Sequence, residues 1–413
     1  MPLPHVAIIG AGPIGLEAAV LLRMSGFSVQ AYERGGVGEH LRQWGHVRMF
    51  SPWRLNVSPW GRAQLACRHI PADDDLPTGD AFRQRYLEPL ARCPLLKGVV
   101  REGTAVLAIG RHRVGKQDEI GRARRREGGF RLLVRNATGE HIESADVVLD
   151  CSGTYGQHRF LGAGGIPCPG ETSVLTRDQY WIPDILGRDR DRFARRTTLI
   201  AGAGYSAATV VAALAELARN EPRTRGIWIT RHAESQPIAP IADDPLAERS
   251  ALTAAANRLA TTRPSCITWR PGSVVQAISR HTNARSFRVA VSPICDPAAV
   301  EVWEGVDEVV ALIGYRPDHS LYEELQVHQC YATQGPMKLA AALLGESSGD
   351  CLAQKGQGIE TLRNPEPAFF ILGAKSYGRD SRFLLKVGIE QVATVAVELC
   401  REAGVRFPPE AQG

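Results

Sequence analysis

Two short glycine runs carry the chemistry that this sequence can do. Gly10-Ala11-Gly12-Pro13-Ile14-Gly15 has the spacing G-x-G-x-x-G, and Gly202-Ala203-Gly204-Tyr205-Ser206-Ala207 has G-x-G-x-x-A. That spacing suits a pyrophosphate for physical reasons. The first glycine permits a tight turn, the second lets backbone N–H groups approach the phosphates, and the third small residue lets a helix pack closely on a strand. The helix N-terminus then sets partial positive charge against the anion. Glu33, followed by Arg34, comes about 20 residues after the first run, at the end of the next apolar stretch. A carboxylate there accepts ribose hydroxyls and repels a 2′-phosphate, which selects FAD or NAD over NADP. After the second run the matching stretch ends in Thr230-Arg231-His232, where Glu33 stands in the first unit. A cation at Arg231 favours a 2′-phosphate, hence NADPH over NADH. Glu234, a few residues on, would oppose that preference in a different register.

Such runs work only inside strand–turn–helix–strand units, and both have the flanks for one. His5 to Ile9 reads as a buried strand, Leu16 to Met24 as a helix, and Phe27 to Tyr32 as a second strand. The pattern restarts with Thr198 to Ala201, the helix Ala208 to Arg219 with Ser206 as its cap, and the strand Gly226 to Thr230. Val309 to Ile313 and Phe369 to Leu372 read as later strands, and 383–403 as the closing helix. Residues 36–95 read as loops and short helices covering a site. The stretch 111–127, with Arg122, Arg124, Arg125 and Arg126, reads as a solvated hairpin tip. The Gly/Pro-rich stretch from Leu161 to Gly170 reads as a domain linker. The expected fold is α/β, with two Rossmann-like three-layer domains.

The bulk numbers exclude several classes. Over 413 residues, 49 basic and 44 acidic side chains leave a net charge of +5, too mild to argue for nucleic acid. No apolar run approaches the ~20 residues of a membrane helix. Nine cysteines are scattered without a C-x-x-C, so neither a zinc ribbon nor a vicinal redox pair is visible. Unpaired thiols in a chain of this size suggest a reducing, cytoplasmic setting. His328 with Cys330 lacks two further ligands, so no metal is expected. Cys330 and Cys351 share the 320–365 insertion, which shapes a pocket or a subunit contact.

Together with Val147-Val148-Leu149-Asp150-Cys151-Ser152-Gly153-Thr154 and Ile313-Gly314-Tyr315-Arg316-Pro317, the two glycine runs resemble the flavoproteins with two dinucleotide-binding domains. These include thioredoxin-reductase-like enzymes, flavin-containing monooxygenases and N-hydroxylating monooxygenases. The resemblance covers nearly the whole chain. It implies a FAD-binding domain in two parts, 1–160 and 306–413, that receives an NADPH-binding domain over 161–305, with Ser152 and Gly153 at the crossing out of the FAD domain, Gly314 and Tyr315 at the return, and Gly373 as a cofactor contact. Three departures stand out. The C-x-x-C of the disulfide reductases is absent. Tyr155-Gly156-Gln157-His158 only faintly echoes the F-x-G-x-x-x-H of one monooxygenase branch. The terminal G-D of the reductases is here Gly373-Ala374-Lys375.

The resemblance implies an enzyme in which NADPH reduces FAD and the electrons pass to oxygen, a disulfide or another small molecule. Phe50-Ser51-Pro52-Trp53-Arg54-Leu55-Asn56 resembles the aromatic/Ser/Asn stretch of the monooxygenases. Asn56 is therefore a catalytic candidate that can hydrogen-bond the flavin N5 region, or else a turn-forming residue. Trp44 and Trp53 read as packing under a loop. Lys375 is either a cation that stabilises anionic reduced flavin or a surface lysine. The expected function is an NADPH-dependent, flavin monooxygenase-like enzyme acting on a small soluble substrate. The alternatives are an NAD(P)H-linked reductase of a small disulfide without its own thiol pair, and a flavin-based sensor or binding module. Dimers are common in the superfamily, and a homodimer is expected on that ground.

Overall fold

The computed structural model describes residues 2–65, 70–262, 264–281, 286–345 and 358–409. The chain forms two compact units. One runs to Gln157 and resumes at Arg316; the other is His158–Tyr315.

In the first unit β1 (His5–Ile9) leads through the glycine turn into α1 (Pro13–Met24), then β2 (Ser28–Tyr32) and β3 (Val100–Arg101). A meander of β4 (Ala105–Arg111), β5 (Phe130–Asn136) and β6 (Gly139–Ala145) precedes β7 (Val147–Asp150). The second unit repeats the plan. It has β8 (Thr197–Ala201), α2 (Tyr205–Asn220), β9 (Arg225–Ile229), α3 (Ala247–Thr262) and β10 (Ile267–Arg270). A second meander, β11 (Ser273–Arg280), β12 (Phe287–Pro293) and β13 (Glu301–Val306), precedes β14 (Glu308–Ala311). Back in the first unit come α4 (Met337–Gly345), β15 (Phe369–Ile371) and α5 (Leu385–Ala403).

The first unit has a parallel sheet in the order β15-β7-β1-β2-β3, and the second has one in the order β10-β9-β8-β14. Both meanders are antiparallel three-stranded sheets. In each parallel sheet the strand before the glycine turn is internal, flanked by its βαβ partner on one side and a later strand on the other. That is the switch point where doubly wound sheets bind ligands. Both sheets are covered, so β1, β7 and β8 read as continuous apolar runs. α1 is buried along most of its length because it packs against both β2 and α5. It begins with Pro13 at its first position, where the missing N–H costs nothing, and Gly26 follows its end in the left-handed region.

Three expectations need correction. The inserted unit runs to Tyr315, beyond the expected limit of 305, because β14 pairs with β8 and completes that sheet. The stretch Leu161–Gly170 is packed against the second unit's meander and is no free linker. Gly162 bridges Val275, the Ile278 N–H donates to Pro169 O at 2.9 Å, and a Cβ on Gly170 would collide with the Ile278 carbonyl. Arg125, expected in solvent, is sealed: with Arg111 it grips the equally buried Glu366, at 2.7 Å in each case. Arg125 also donates to the carbonyls of Gly115 and Asp118, so the arginine-rich tip is fastened to the unit's second part.

Candidate active site

Strand register lines up the first site. Ile9 pairs with Tyr32 and with Asp150, and Asp150 pairs with Ile371. Gly10, Glu33, Cys151 and Leu372 therefore lie side by side along the carboxyl edge of the sheet. Gly10 has φ +98°, and a Cβ on it would sit 2.9 Å from Cys151 O. A Cβ on Gly15 would collide with Gly10 O. At Gly12, the N-cap of α1, a Cβ would meet nothing within 4 Å. Two positions are thus closed by protein and the middle one is open, as a cradle for an outside anion must be. Pro13 and the buried Ile14 start α1, and the Ile14 side chain fills the space left by the missing side chains of Gly373 and Gly388. The N-terminal turns of α1 and α5 thus converge on Ile14. Gly373 has φ +72°, and its N–H donates to Gln391 Oε1 at 2.8 Å.

Glu33 closes the other end. Its carboxylate accepts from Ala11 N at 2.9 Å and from Gly35 N at 2.8 Å, and each oxygen keeps a lone pair for a ribose hydroxyl. Arg34 is exposed beside it.

Lys375 is no surface lysine. Its Nζ lies 2.6 Å from Asp150 Oδ2, with side-chain exposures of 1% and 0%. It also donates to Ser152 Oγ at 3.0 Å and sits 5.0 Å from the Tyr322 ring centroid. Ser152 donates from both N and Oγ to Asp150 Oδ1, at 3.1 and 2.6 Å. The result is a closed ring of polar contacts at the outgoing crossing, just before Gly153 with its φ of +69°. The ammonium is neutralised inside the protein, so Lys375 braces the crossing.

Asn56 is buried and spoken for. Its Oδ1 accepts from Ser51 Oγ at 2.7 Å and its Nδ2 donates to Ser51 O at 2.8 Å. Both bonds are local, of the kind a turn-forming residue makes. Trp53 is core, and Trp44 is partly buried against it. Trp44 and His40 meet the exposed Tyr155, with ring centroids 6.5 and 5.7 Å away.

The second site repeats the first with changes. Gly202 has φ +134°, and a Cβ on it would collide with the Leu312 carbonyl; Gly204 is exposed and open. Gly204 is the N-cap of α2. Tyr205 and Ser206 are its first two residues, so Ser206 is not the cap. Ala207 is buried in the third small-residue position. Ala201 pairs with Ile229, as Ile9 pairs with Tyr32, which makes Thr230 the counterpart of Glu33 and Arg231 the counterpart of Arg34. Thr230 is neutral and its Oγ1 donates to His232 O at 3.2 Å. Arg231 is exposed, 3.4 Å from His232 Nε2 and one residue further along the edge than the sequence pattern suggests. Gly314, φ +88°, is exposed on the return crossing, and Tyr315 Oη donates to Tyr180 O at 2.8 Å.

Among the described residues the cysteines are free, and no group of His, Cys, Asp and Glu could hold a metal. Cys151, beside Gly10, is buried, and burial with the Asp150 carboxylate pushes its thiol well above the usual range. Cys351, in the same insertion as Cys330, lies outside the described residues. No described helix is long and apolar enough to cross a membrane.

No protein-family model matches the sequence, and no curated protein matches it. Solved structures do. A bacillithiol disulfide reductase from Bacillus cereus superposes with a TM-score of 0.66 at 19% identity, over 97% of this chain and 99% of that one. An ornithine N-hydroxylase from Kutzneria sp. 744, with reduced FAD, NADP⁺ and L-ornithine, gives 0.63 at 16%, over 97% and 100%. A flavin-containing monooxygenase from Stenotrophomonas maltophilia gives 0.56 at 20%, over 98% and 99%. With two open amide cradles on two doubly wound sheets, one inside the other in sequence, the chain has the fold of the flavoproteins with two dinucleotide-binding domains.

Proposed function

We propose that the protein is an NADPH-dependent FAD oxidoreductase, a flavin monooxygenase-like enzyme acting on a small soluble substrate. The observation that carries this is the pair of cradles with opposite edges. Glu33 marks a ribose site that rejects a 2′-phosphate; Thr230 and Arg231 mark one that accepts it. FAD fits the first: Gly12 leaves room for the pyrophosphate, Glu33 faces the ribose, and Ser152, Gly153 and Gly373 border the path beyond. The N-terminal turn of α5, which packs on Ile14 through Gly388, offers positive potential to a reduced ring. NADPH fits the second, at Gly202, Gly204, Tyr205, Ser206, Ala207 and Arg231. When bound, the cofactors would supply the redox chemistry, hydride from nicotinamide to FAD and electron pairs onward to an acceptor. The protein's part is to hold both rings and keep water out.

A reductase of a small disulfide is the second reading, favoured by the likeness to the bacillithiol disulfide reductase. That reading needs no thiol pair of the protein's own, and Cys151, beside Gly10, is held as a thiol by burial, which disfavours a redox role for it. A homodimer, a cytoplasmic setting and no nucleic-acid partner belong to the same proposal; they rest on the superfamily, the scattered thiols and the mild charge.

The test is to load the protein with FAD, bleach it anaerobically with NADPH, and admit oxygen. A slow return of the yellow colour, prolonged by bound NADP⁺, is expected of the monooxygenase. Immediate return with peroxide release, and turnover with a low-molecular-weight disulfide, selects the reductase. Protein that takes up no FAD refutes both.

A further inference from the structure

His158 opens the second unit, and its ring is pinned on several sides. Nδ1 lies 3.0 Å from Arg159 O. A carbonyl only accepts, so in the neutral ring Nδ1 carries the proton and Nε2 the lone pair. The ring stacks on Tyr180 with centroids 3.6 Å apart and planes 15° apart, and Phe160 meets it edge-on at 5.2 Å. Tyr180 is fixed in turn. Its hydroxyl donates to Glu171 Oε1 at 2.7 Å, and its carbonyl accepts from Tyr315 Oη at 2.8 Å. Burial, with the Glu171 carboxylate, pushes the Tyr180 hydroxyl far up, so it remains a donor. Glu171 is fully buried and also accepts from the N–H groups of Leu161 and Cys168, at 2.8 and 2.9 Å. In this array Nε2 of His158 has no hydrogen-bond partner among the described residues.

The array lies at the second cradle. His158 bridges Tyr315, and Arg159 N–H donates to Gly314 O at 3.0 Å. Tyr315 is three residues beyond Leu312, whose carbonyl closes off Gly202. Three residues span at most about 11 Å. The ring is therefore held close to the carboxyl edge where a dinucleotide lies. A residue needed only for packing has no use for a fixed tautomer, and phenylalanine would fill the stack.

We propose that His158 is a binding residue for the nicotinamide half of the dinucleotide in the second cradle, with Nε2 accepting a hydrogen bond from a ribose hydroxyl or the carboxamide N–H. The proposal rests on the reading of that cradle as the NADPH site. The test measures Kd for NADP⁺ and for 2′,5′-ADP, which carries the 2′-phosphate but no nicotinamide, on the purified full chain. His158→Phe keeps a ring on Tyr180 and removes the acceptor. It should weaken NADP⁺ about tenfold and leave 2′,5′-ADP unchanged. His158→Gln, whose amide oxygen can accept, should recover part of the loss. Unchanged NADP⁺ affinity in His158→Phe, or equal loss of both ligands, overturns the assignment while the NADPH site stands. Wild-type protein that binds neither ligand overturns the site and the assignment together.

Discussion

Lys375→Met removes one charge from a pair that has no access to water. The ammonium and the Asp150 carboxylate are 2.6 Å apart, with side chains 1% and 0% exposed. Removing one partner of such a pair costs about 3–5 kcal/mol, because the other is left charged and buried. Losing the bond to Ser152 Oγ adds about 1 kcal/mol. Asp150→Leu alone should cost a similar amount. The double variant removes both charges at once, so most of the loss should return, with a coupling energy of at least about 2 kcal/mol. Amide hydrogen exchange at β1, β7 and β15 reads the opening free energy of the first unit alone. Lys375→Met within about 1 kcal/mol of wild type, or a double variant as unstable as the sum of the singles, would refute the reasoning. The double variant also separates bracing from catalysis. If it holds FAD and is bleached by NADPH at the normal rate, Lys375 braces the crossing and does no more.

Other perturbations test the cradles and the surface charge. Gly12→Val should leave folding intact, since nothing lies within 4 Å of an added Cβ, but abolish FAD uptake; Gly15→Ala should itself destabilise the fold, by about 1–3 kcal/mol of overpacking against Gly10 O, read as a lower urea midpoint. Arg231→Ala should raise the KM for NADPH far more than that for NADH, and equal changes in steady-state assays would remove Arg231 from the 2′-phosphate. Glu398 is held down to about 2, mainly by its hydrogen bonds from Arg401, with Arg363 adding to the effect. A depressed carboxyl stabilises the fold above its unfolded value and loses that contribution as pH falls towards 2. Glu398→Gln should therefore be the less stable protein at pH 7 and match wild type by about pH 2 in acid titrations followed by circular dichroism.

How much was legible depended on the range of the interactions. The first glycine turn, β1, α1 and Glu33 could be read because turn sterics, helix initiation and a strand-end carboxylate all lie within one βαβ unit. The same held for Gly202, Gly204 and α2. The strand β6 escaped notice because it is a polar edge strand, exposed through most of its length, and carries no alternating apolar signal. The placing of Arg231 in Glu33's position was one residue off, since the register of β9 against β8 is a pairing between strands. The His158–Tyr180–Glu171 array went unseen. Its members follow no period, and the one local signal was the Thr176/Gln179 capping box that sets the turn before Tyr180.

By itself, then, the sequence determined two strand–glycine turn–helix units and the fold class that must carry them, because backbone sterics and short-range periodicity act between near neighbours. Only the tertiary structure decided that Lys375 meets Asp150 and that Arg125 turns inward to Glu366. A charged side chain is driven to a buried partner by the cost of leaving it unpaired away from water. For Lys375 and Arg125 that partner lies more than two hundred residues away along the chain, so it exists only once the sheets have formed.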